Sequence, residues 1–260
     1  MNKFGKIWVI AYLHIIITLF FVINNIEYSN AQSNNNDDIR CGDIIRNDII
    51  LSSNLYCDDE GLIISNQNGL TIDLNGYTIS GPGVESQKVG ISIIESENIK
   101  IVGNGTIKNF QAGISNTESE NTGISNITFT ENKMGIFNTG ASKAEIKGNN
   151  IDSNSIGITA HSSDGLMIID NILDSNQLAG ITFVNSGESQ ITSNAINGSV
   201  NGIFLDSLSS HNDINNNTVL DNSGVDLNND NGLPTNENNN SFNNNKCNAS
   251  VPDGLCDNLV

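Results

Sequence analysis

Apolar side chains in this chain recur in short alternating words rather than at helical spacing. In Gly180-Ile181-Thr182-Phe183 and Gly202-Ile203-Phe204-Leu205 a glycine is followed by apolar residues two apart. Such a word reads as a short strand with one inward and one outward face. Its opening glycine returns at Gly90, Gly113, Gly135, Gly157, Gly180, Gly202 and Gly224, at intervals of 22 or 23 residues. Glycine in front of a strand is expected to supply a turn with positive φ. A second word, apolar-x-x-Asn-x-apolar, lies between the glycines. It is seen at Ile146…Asn149…Ile151, Ile168…Asn171…Leu173, Ile191…Asn194…Ile196 and Ile214…Asn217…Val219, and Phe242…Asn245…Cys247 repeats it after an insertion. Asn104 and Asn126 take the corresponding place in earlier, less regular units.

A repeat of this length is too short for a helix pair and lacks the leucine spacing of a leucine-rich repeat. It predicts a coil of short strands and turns whose successive windings stack about 4.8 Å apart. Isoleucine then lies on isoleucine in a continuous core column. The asparagines Asn149, Asn171, Asn194, Asn217 and Asn245 form an amide ladder, which makes them structural. The fold class is therefore all-β, a right-handed parallel β-helix of about nine coils with three parallel sheets. The coils are expected over residues 61–247. Segments 32–60 and 248–260 are expected to cap the two ends, because bare strand edges invite association.

The first residues carry a different pattern. Lys3 and Lys6 precede an apolar stretch from Ile7 to Ile23, and Ser29-Asn30-Ala31 places small residues at the −3 and −1 positions of a signal-peptidase site. Residues 1–31 read as a cleaved export signal. The alternative is a retained membrane anchor, since the stretch is nearly long enough to span. No second apolar run occurs, so no stable membrane insertion is expected once the signal is removed. The formal net charge is −18, and both arginines, Arg40 and Arg46, lie early in the chain. No basic cluster offers itself to phosphates, which argues against nucleic acid. A polyanionic glycan would need bridging cations. Of the four cysteines, Cys41 and Cys57 bracket the start of the domain and Cys247 and Cys256 its end. In an exported chain four cysteines can pair in three ways, and proximity along the chain favours Cys41–Cys57 and Cys247–Cys256, with no zinc-ligand spacing in either pair.

The stretch Gly69-Leu-Thr-Ile-Asp-Leu-Asn-Gly-Tyr-Thr-Ile-Ser-Gly81, followed by Gly90-Ile-Ser-Ile and Asn104-Gly-Thr-Ile-Lys-Asn-Phe110, resembles the right-handed parallel β-helix repeat proteins of the pectin-lyase-like superfamily. The opening Cys41-Gly42 and the closing Pro252-Asp-Gly-Leu-Cys256 resemble its uncharacterised secreted bacterial and archaeal members. The superfamily holds polysaccharide lyases, epimerases, glycoside hydrolases, adhesins and a periplasmic protein that helps assemble the copper site of nitrous oxide reductase. This chain departs from each active type. No arginine follows Arg46 to act as a lyase base, although Lys133, Lys143 and Lys147 are available. The Asp-Pro-His element of the epimerases is missing, as is the Gly-His-Gly motif of the polygalacturonases. Histidines and methionines do not cluster as copper delivery would require.

Four residues remain as candidate catalytic groups. Asp152 and Asp174 follow ladder positions on adjacent coils, so their carboxylates are expected about 5 Å apart, suited to a shared proton, a calcium ion or a retaining hydrolase. His161 and Asp164 form a candidate acid/base pair, with Asp206 in the matching place two coils on. Phe137 and Phe204 should point outward three coils apart, near 14 Å, and could stack on a glycan. Asp226, Asp230 and Glu237 give one insertion a calcium-like composition without EF-hand spacing, and a plain polar loop is expected. Sequons occur at Asn104, Asn126, Asn197, Asn216, Asn239 and Asn248; as ladder members pointing inward, the first two would be poor glycan acceptors.

The expected function is a secreted or cell-surface protein that binds carbohydrate or serves the envelope structurally, without catalysis. The alternative is a polysaccharide-active lyase, epimerase or glycoside hydrolase. No cofactor is certain, and calcium is the candidate. N-terminal sequencing of exported protein should find Gln32 first; a product that retains Met1 would replace the signal with a membrane anchor.

Overall fold

In the computed structural model, the described residues are 39–257 apart from 232, 234–236 and 238. The expected export signal, residues 1–31, and the first part of the expected N-terminal cap lie outside them. Short strands of two to six residues assemble into three sheets, in which every pairing is parallel. Sheet A and sheet B have nine strands each and sheet C has eight. One winding shows the plan: Glu145–Lys147 enters sheet B, Asn150–Asp152 enters sheet C and Ile156–His161 enters sheet A. The chain is thus the right-handed β-helix expected from the repeat, with no α-helix among the described residues.

Strict register makes the core. Ile124, Ile146, Ile168, Ile191 and Ile214 stack in sheet B. Phe129, Ile151, Leu173, Ile196 and Val219 stack in sheet C, and Ile114, Ile136, Ile158, Ile181 and Ile203 in sheet A. All are buried in a single apolar cluster. Burying each such side chain contributes roughly 1.5–3 kcal/mol. The three-residue strands of sheets B and C leave one residue inside and two outside, which is why the charged residues of Glu145-Ile146-Lys147 and their equivalents face solvent.

The corners decide where the amide ladder runs. At the turn from sheet B to sheet C the backbone leaves strand geometry, and the residue before the ladder adopts positive φ, as at Asp170, Ser193 and Asn216. The next amide must find an acceptor inside. Asn149 donates from its backbone N to Asn171 Oδ1 at 2.9 Å, and from Nδ2 to Asn171 Oδ1 and Ile124 O, both at 3.0 Å. The same pattern repeats from Asn171 to Asn194, Asn194 to Asn217 and Asn217 to Asn245.

Asn104 and Asn126 do not belong to this ladder. Both are exposed and have positive φ (33° and 58°). The ladder place in the Asn126 unit falls one residue later, on buried Ile127, whose N donates to Asn149 Oδ1 at 3.1 Å. These two sequons therefore sit on the surface rather than inside. The other two corners use the same device, which the asparagine word alone did not reveal. Between sheets C and A, Phe110, Asn132 and Asn154 donate from backbone N to Asn132, Asn154 and Asn176 side chains. Between sheets A and B, Ala141, Ser163 and Ser186 donate to the hydroxyls of Ser163, Ser186 and Ser209.

The recurrent glycine has a different cause from the expected turn. None of Gly90 to Gly224 in that series has positive φ. A Cβ at Gly157 would lie 2.5 Å from Gly180 O and 2.9 Å from Leu173 Cδ2. Glycine is needed there because the next coil approaches too closely for any side chain.

Both expected disulfides are present. Cys41–Cys57 closes the first coil and Cys247–Cys256 the last. Asp226 strengthens the second end: its Oδ2 accepts from Asn248 N at 2.8 Å and Ala249 N at 3.1 Å, while Oδ1 accepts from Asn222 Nδ2 at 2.9 Å. That acid ties the last coil rather than standing open in the polar insertion.

Asn171→Ala leaves the buried Asn149 amide without its acceptor and should lower stability by about 2–4 kcal/mol in urea denaturation. Asn126→Gly, at an exposed position with positive φ, should stay within about 0.5 kcal/mol of the parent. Equal effects of the two substitutions would refute the ladder as the determinant.

Candidate functional site

Asp152 and Asp174 end consecutive strands of sheet C and are direct register partners, with Thr130 before them and Asn197 after. They face outward, Asp152 half-buried and Asp174 exposed. Asp174 Oδ1 accepts from Ser175 Oγ at 3.0 Å. Rungs about 4.8 Å apart bring two like charges side by side. The pair has one carboxylate on each coil and no third acidic partner in its column. Among the described residues no three His, Cys, Asp or Glu side chains converge to hold a metal.

His161 lies elsewhere. It ends the sheet A strand Ile156–His161, in register with Thr139 and Val184. The corner after Asp152 and the whole of that strand separate the two, about 16 Å of extended chain for the strand alone. Asp164 sits in the corner from sheet A to sheet B, where its Oδ1 accepts from Gly187 N at 2.8 Å. Asp206, expected to match His161, is engaged in its own turn: Oδ1 accepts from Asn185 N at 3.0 Å and Ser209 Oγ at 2.7 Å. The four candidate catalytic residues thus occupy three separate places, the outer face of sheet C, the far end of sheet A and the following corner.

The aromatic platform needs correction. Phe137 and Phe204 keep the expected spacing of three rungs in one outward column of sheet A, through Thr159 and Thr182. Both rings are buried, however, at 0% and 4% exposure, and both stand outside the main core cluster. Small side chains flank them along the axis, Ser115 and Thr159 for Phe137 and Thr182 for Phe204. Neither ring is presented to solvent as a stacking surface, and the period-two rule alone does not see this.

Two concavities do face solvent. One, of 380 Å³, follows the corner from sheet A to sheet B and gathers Asp164, Asn185, Glu188 and His211. His211 was not singled out in the sequence. Stacking Asp164, Gly187 and Ser210 in register places it there, one residue beyond Ser210. The other runs along the outer face of sheet B, a hollow of 380 Å³ continued by one of 210 Å³; Lys100, Gly123 and Glu145 line both and Lys147 the second.

Of the lysines considered as bases, Lys133 pairs with Glu85 at 3.6 Å and Lys143 with Glu120 at 2.6 Å. Lys147 forms no salt bridge among the described residues. The clearest mutual titration lies at the N-terminal end, away from both hollows. There Lys88 pairs with Asp59 and with Glu60. The hydrogen bond from Lys88 holds the Asp59 carboxyl below its ordinary value. Burial pushes Glu60 up, against the opposing pull of the Val89 amide and Lys88.

The sequence model of one family, described as periplasmic copper-binding protein (NosD), matches residues 42–254. No curated protein matches the chain. Among solved structures, an exopolygalacturonase from Thermotoga maritima is similar at 12% identity and a TM-score of 0.53, over 78% of this chain and 72% of that one. A variant of the periplasmic alginate epimerase AlgG is similar at 14% identity and a TM-score of 0.51, over 71% of this chain and 59% of that one. The chain therefore spans less than two thirds of the epimerase's length. At these identities the likeness is one of fold.

Replacing one of two stacked like charges relieves repulsion. Asp174→Asn should therefore raise the unfolding free energy by about 0.5 kcal/mol in urea titrations without added metal. A loss of stability seen only with added calcium would instead indicate that the two carboxylates share a bound cation.

Proposed function

Because the chain belongs to the NosD family, we propose that it is an extracytoplasmic β-helix protein that holds carbohydrate without cleaving it. The observation that carries this reading is the separation of the Asp152–Asp174 pair from His161 and Asp164. Asp152 and Asp174 lie on sheet C, His161 at the end of sheet A, and Asp164 is bound to the Gly187 amide in the next corner. General acid–base chemistry requires such groups within reach of one substrate bond. A regular solenoid face, by contrast, repeats polar contacts at rung spacing and suits an extended polymer.

NosD is described as copper-binding, and the donor set here does not fit that metal. All four cysteines are oxidised in disulfides. His161 and His211 are carried by different elements, two coils apart, and Met134 is buried on sheet A. A copper site draws together thiolate, thioether or imidazole ligands, and among the described residues no three His, Cys, Asp or Glu side chains are grouped to hold a metal.

A second reading, a retaining glycoside hydrolase, is favoured by one observation, the in-register Asp152–Asp174 pair at about the separation such enzymes use. One experiment separates the two. Purified exported protein is incubated with neutral and acidic polysaccharides, with and without calcium, and assayed for retention, new reducing ends and ultraviolet-absorbing products. Retention without product is expected. Product that disappears in Asp152→Ala/Asp174→Ala would establish the hydrolase instead, and neither retention nor product would leave an envelope-structural role.

A further inference from the structure

Six asparagines of this chain stand in Asn-x-Ser/Thr sequons, and the fold sorts them into two classes. Asn104, Asn126 and Asn216 lie at the corner from sheet B to sheet C, each exposed and each with positive φ. Their middle residues, Gly105, Ile127 and Asn217, are buried. Their third residues, Thr106, Thr128 and Thr218, fall in one outward column of sheet C, which runs through Asn150, Ile172 and Ala195. Each of these sequons straddles the corner, with its amide on one side of the bend and its hydroxyl on the other.

Turn chemistry explains only half of the motif. Asparagine tolerates the left-handed region, and Asp170, Ser193 and Asn244 hold positive φ at the same corner. The turn does not require the threonine. Its column holds Asn150 after Gly148, Ile172 after Asp170, Ala195 after Ser193 and Lys246 after Asn244. From Asn104 onward, threonine enters that column only behind the three sequon asparagines. In the winding before, the corner is one residue longer, and Thr78 holds the column without a sequon. The three amides are also unspent. Among the described residues, Asn104, Asn126 and Asn216 make no side-chain hydrogen bond, whereas Asn98, Asn121 and Asn243 on the outer surface each bond a column neighbour. Beside Asn126 the next coil offers the bare Gly148, where a Cβ would lie 3.2 Å from Asn126 Oδ1. The three serine sequons differ. Ser199 is buried with its hydroxyl enclosed. Ser241 Oγ accepts from Asn243 Nδ2 at 2.7 Å, and Ser250 Oγ from Leu255 N at 3.2 Å.

We propose that Asn104, Asn126 and Asn216 are acceptors for N-linked glycosylation, so that the edge between sheets B and C carries covalently attached sugar. The donor is a lipid-pyrophosphate oligosaccharide, met outside the cytoplasm. The side-chain amide nitrogen attacks the anomeric carbon of the donor. The N–C bond forms as the bond from that carbon to the pyrophosphate oxygen breaks; the amide proton passes to a base of the transferase, and the lipid pyrophosphate leaves. The transferase reads the asparagine together with the hydroxyl two residues on, and at this corner both stand clear of the core. An attached glycan is bulky and needs open surface. Asn126 and Asn216 are four rungs apart, about 19 Å. The hollow that holds Asp164 and His211 lies at a different corner and stays open. This modification depends on export alone and is independent of whether the protein also holds carbohydrate on a face.

The test is peptide mass spectrometry on protein recovered from the exported fraction of its own cells. Cleavage at Lys108 separates Asn104 from Asn126, and cleavage at Asp213 and Asp221 isolates Asn216. Sugar should be found on Asn104, Asn126 and Asn216, and Asn197, Asn239 and Asn248 should be bare. Thr218→Ala, at an exposed position, should abolish the sugar on Asn216 while leaving Asn104 and Asn126 modified. Thr218→Ser should keep it. Bare asparagines at all three corner positions overturn the proposal. Equal occupancy of all six sequons would show that sequence alone selects the acceptors and overturns the assignment to this edge. Sugar that persists on Asn216 in Thr218→Ala overturns the straddled corner as the element recognised.

Discussion

Every winding of this protein turns three corners, and at each corner a buried backbone N–H loses its place in a strand ladder. An unpaired buried amide is costly. The chain meets that constraint with side-chain acceptors borrowed from the next coil: asparagine between sheets B and C, asparagine again between C and A, and serine between A and B. In the regular coils the acceptor lies 22 or 23 residues ahead of the amide that it satisfies, and across the insertion Asn245 lies 28 residues ahead of Asn217. The corner bond therefore holds each coil in register with the next even where the winding lengthens. The isoleucine columns follow, since a constant advance puts like residues on like.

Rigid register also explains what the outer faces present. Each sheet displays columns of residues at rung spacing, and a substitution in one coil becomes a local feature in an otherwise regular surface. Asp152 and Asp174 become a charged pair because both occupy the same outward place. Asn126 and Asn216 come to share one exposed corner column because each precedes its ladder place by one residue. His161 and Asp206 hold matching places two coils apart, yet Asp206 is tied to Asn185 N and Ser209 Oγ, while Asp164 accepts from the Gly187 amide in the corner. The same regularity holds the Asp152–Asp174 pair on sheet C, while Asp164 and His211 share a hollow at another corner. Surface chemistry on such a scaffold is combinatorial along the axis and across each face.

The family match spans nearly the whole solenoid, residues 42–254. The four cysteines close the two ends of the solenoid, and among the described residues His161 and His211 sit on different coils. End closure is a physical need of any solenoid, and Asp226 adds a second tie where the last coil folds back onto its neighbours. The cysteines thus hold the ends, and the outer faces carry mainly polar and charged side chains.

The sequence by itself determined the winding length, the inward isoleucines, the main asparagine ladder and both disulfides. Each of these depends on period or proximity along the chain, which a sequence displays directly. It misplaced Asn104 and Asn126 by one residue because local turn conformation sets which residue points inward. It credited the glycines at the start of the sheet A strands with a turn, whereas their reason is the backbone of the next coil, 2.5 Å from where a side chain of Gly157 would begin. Only the tertiary structure could show that Phe137 and Phe204 are buried, that His211 shares a hollow with Asp164, and that the sequons at Asn126 and Asn216 share one exposed corner column. Those relations join residues on different coils and faces, where the distance that matters is measured across the solenoid rather than along the chain.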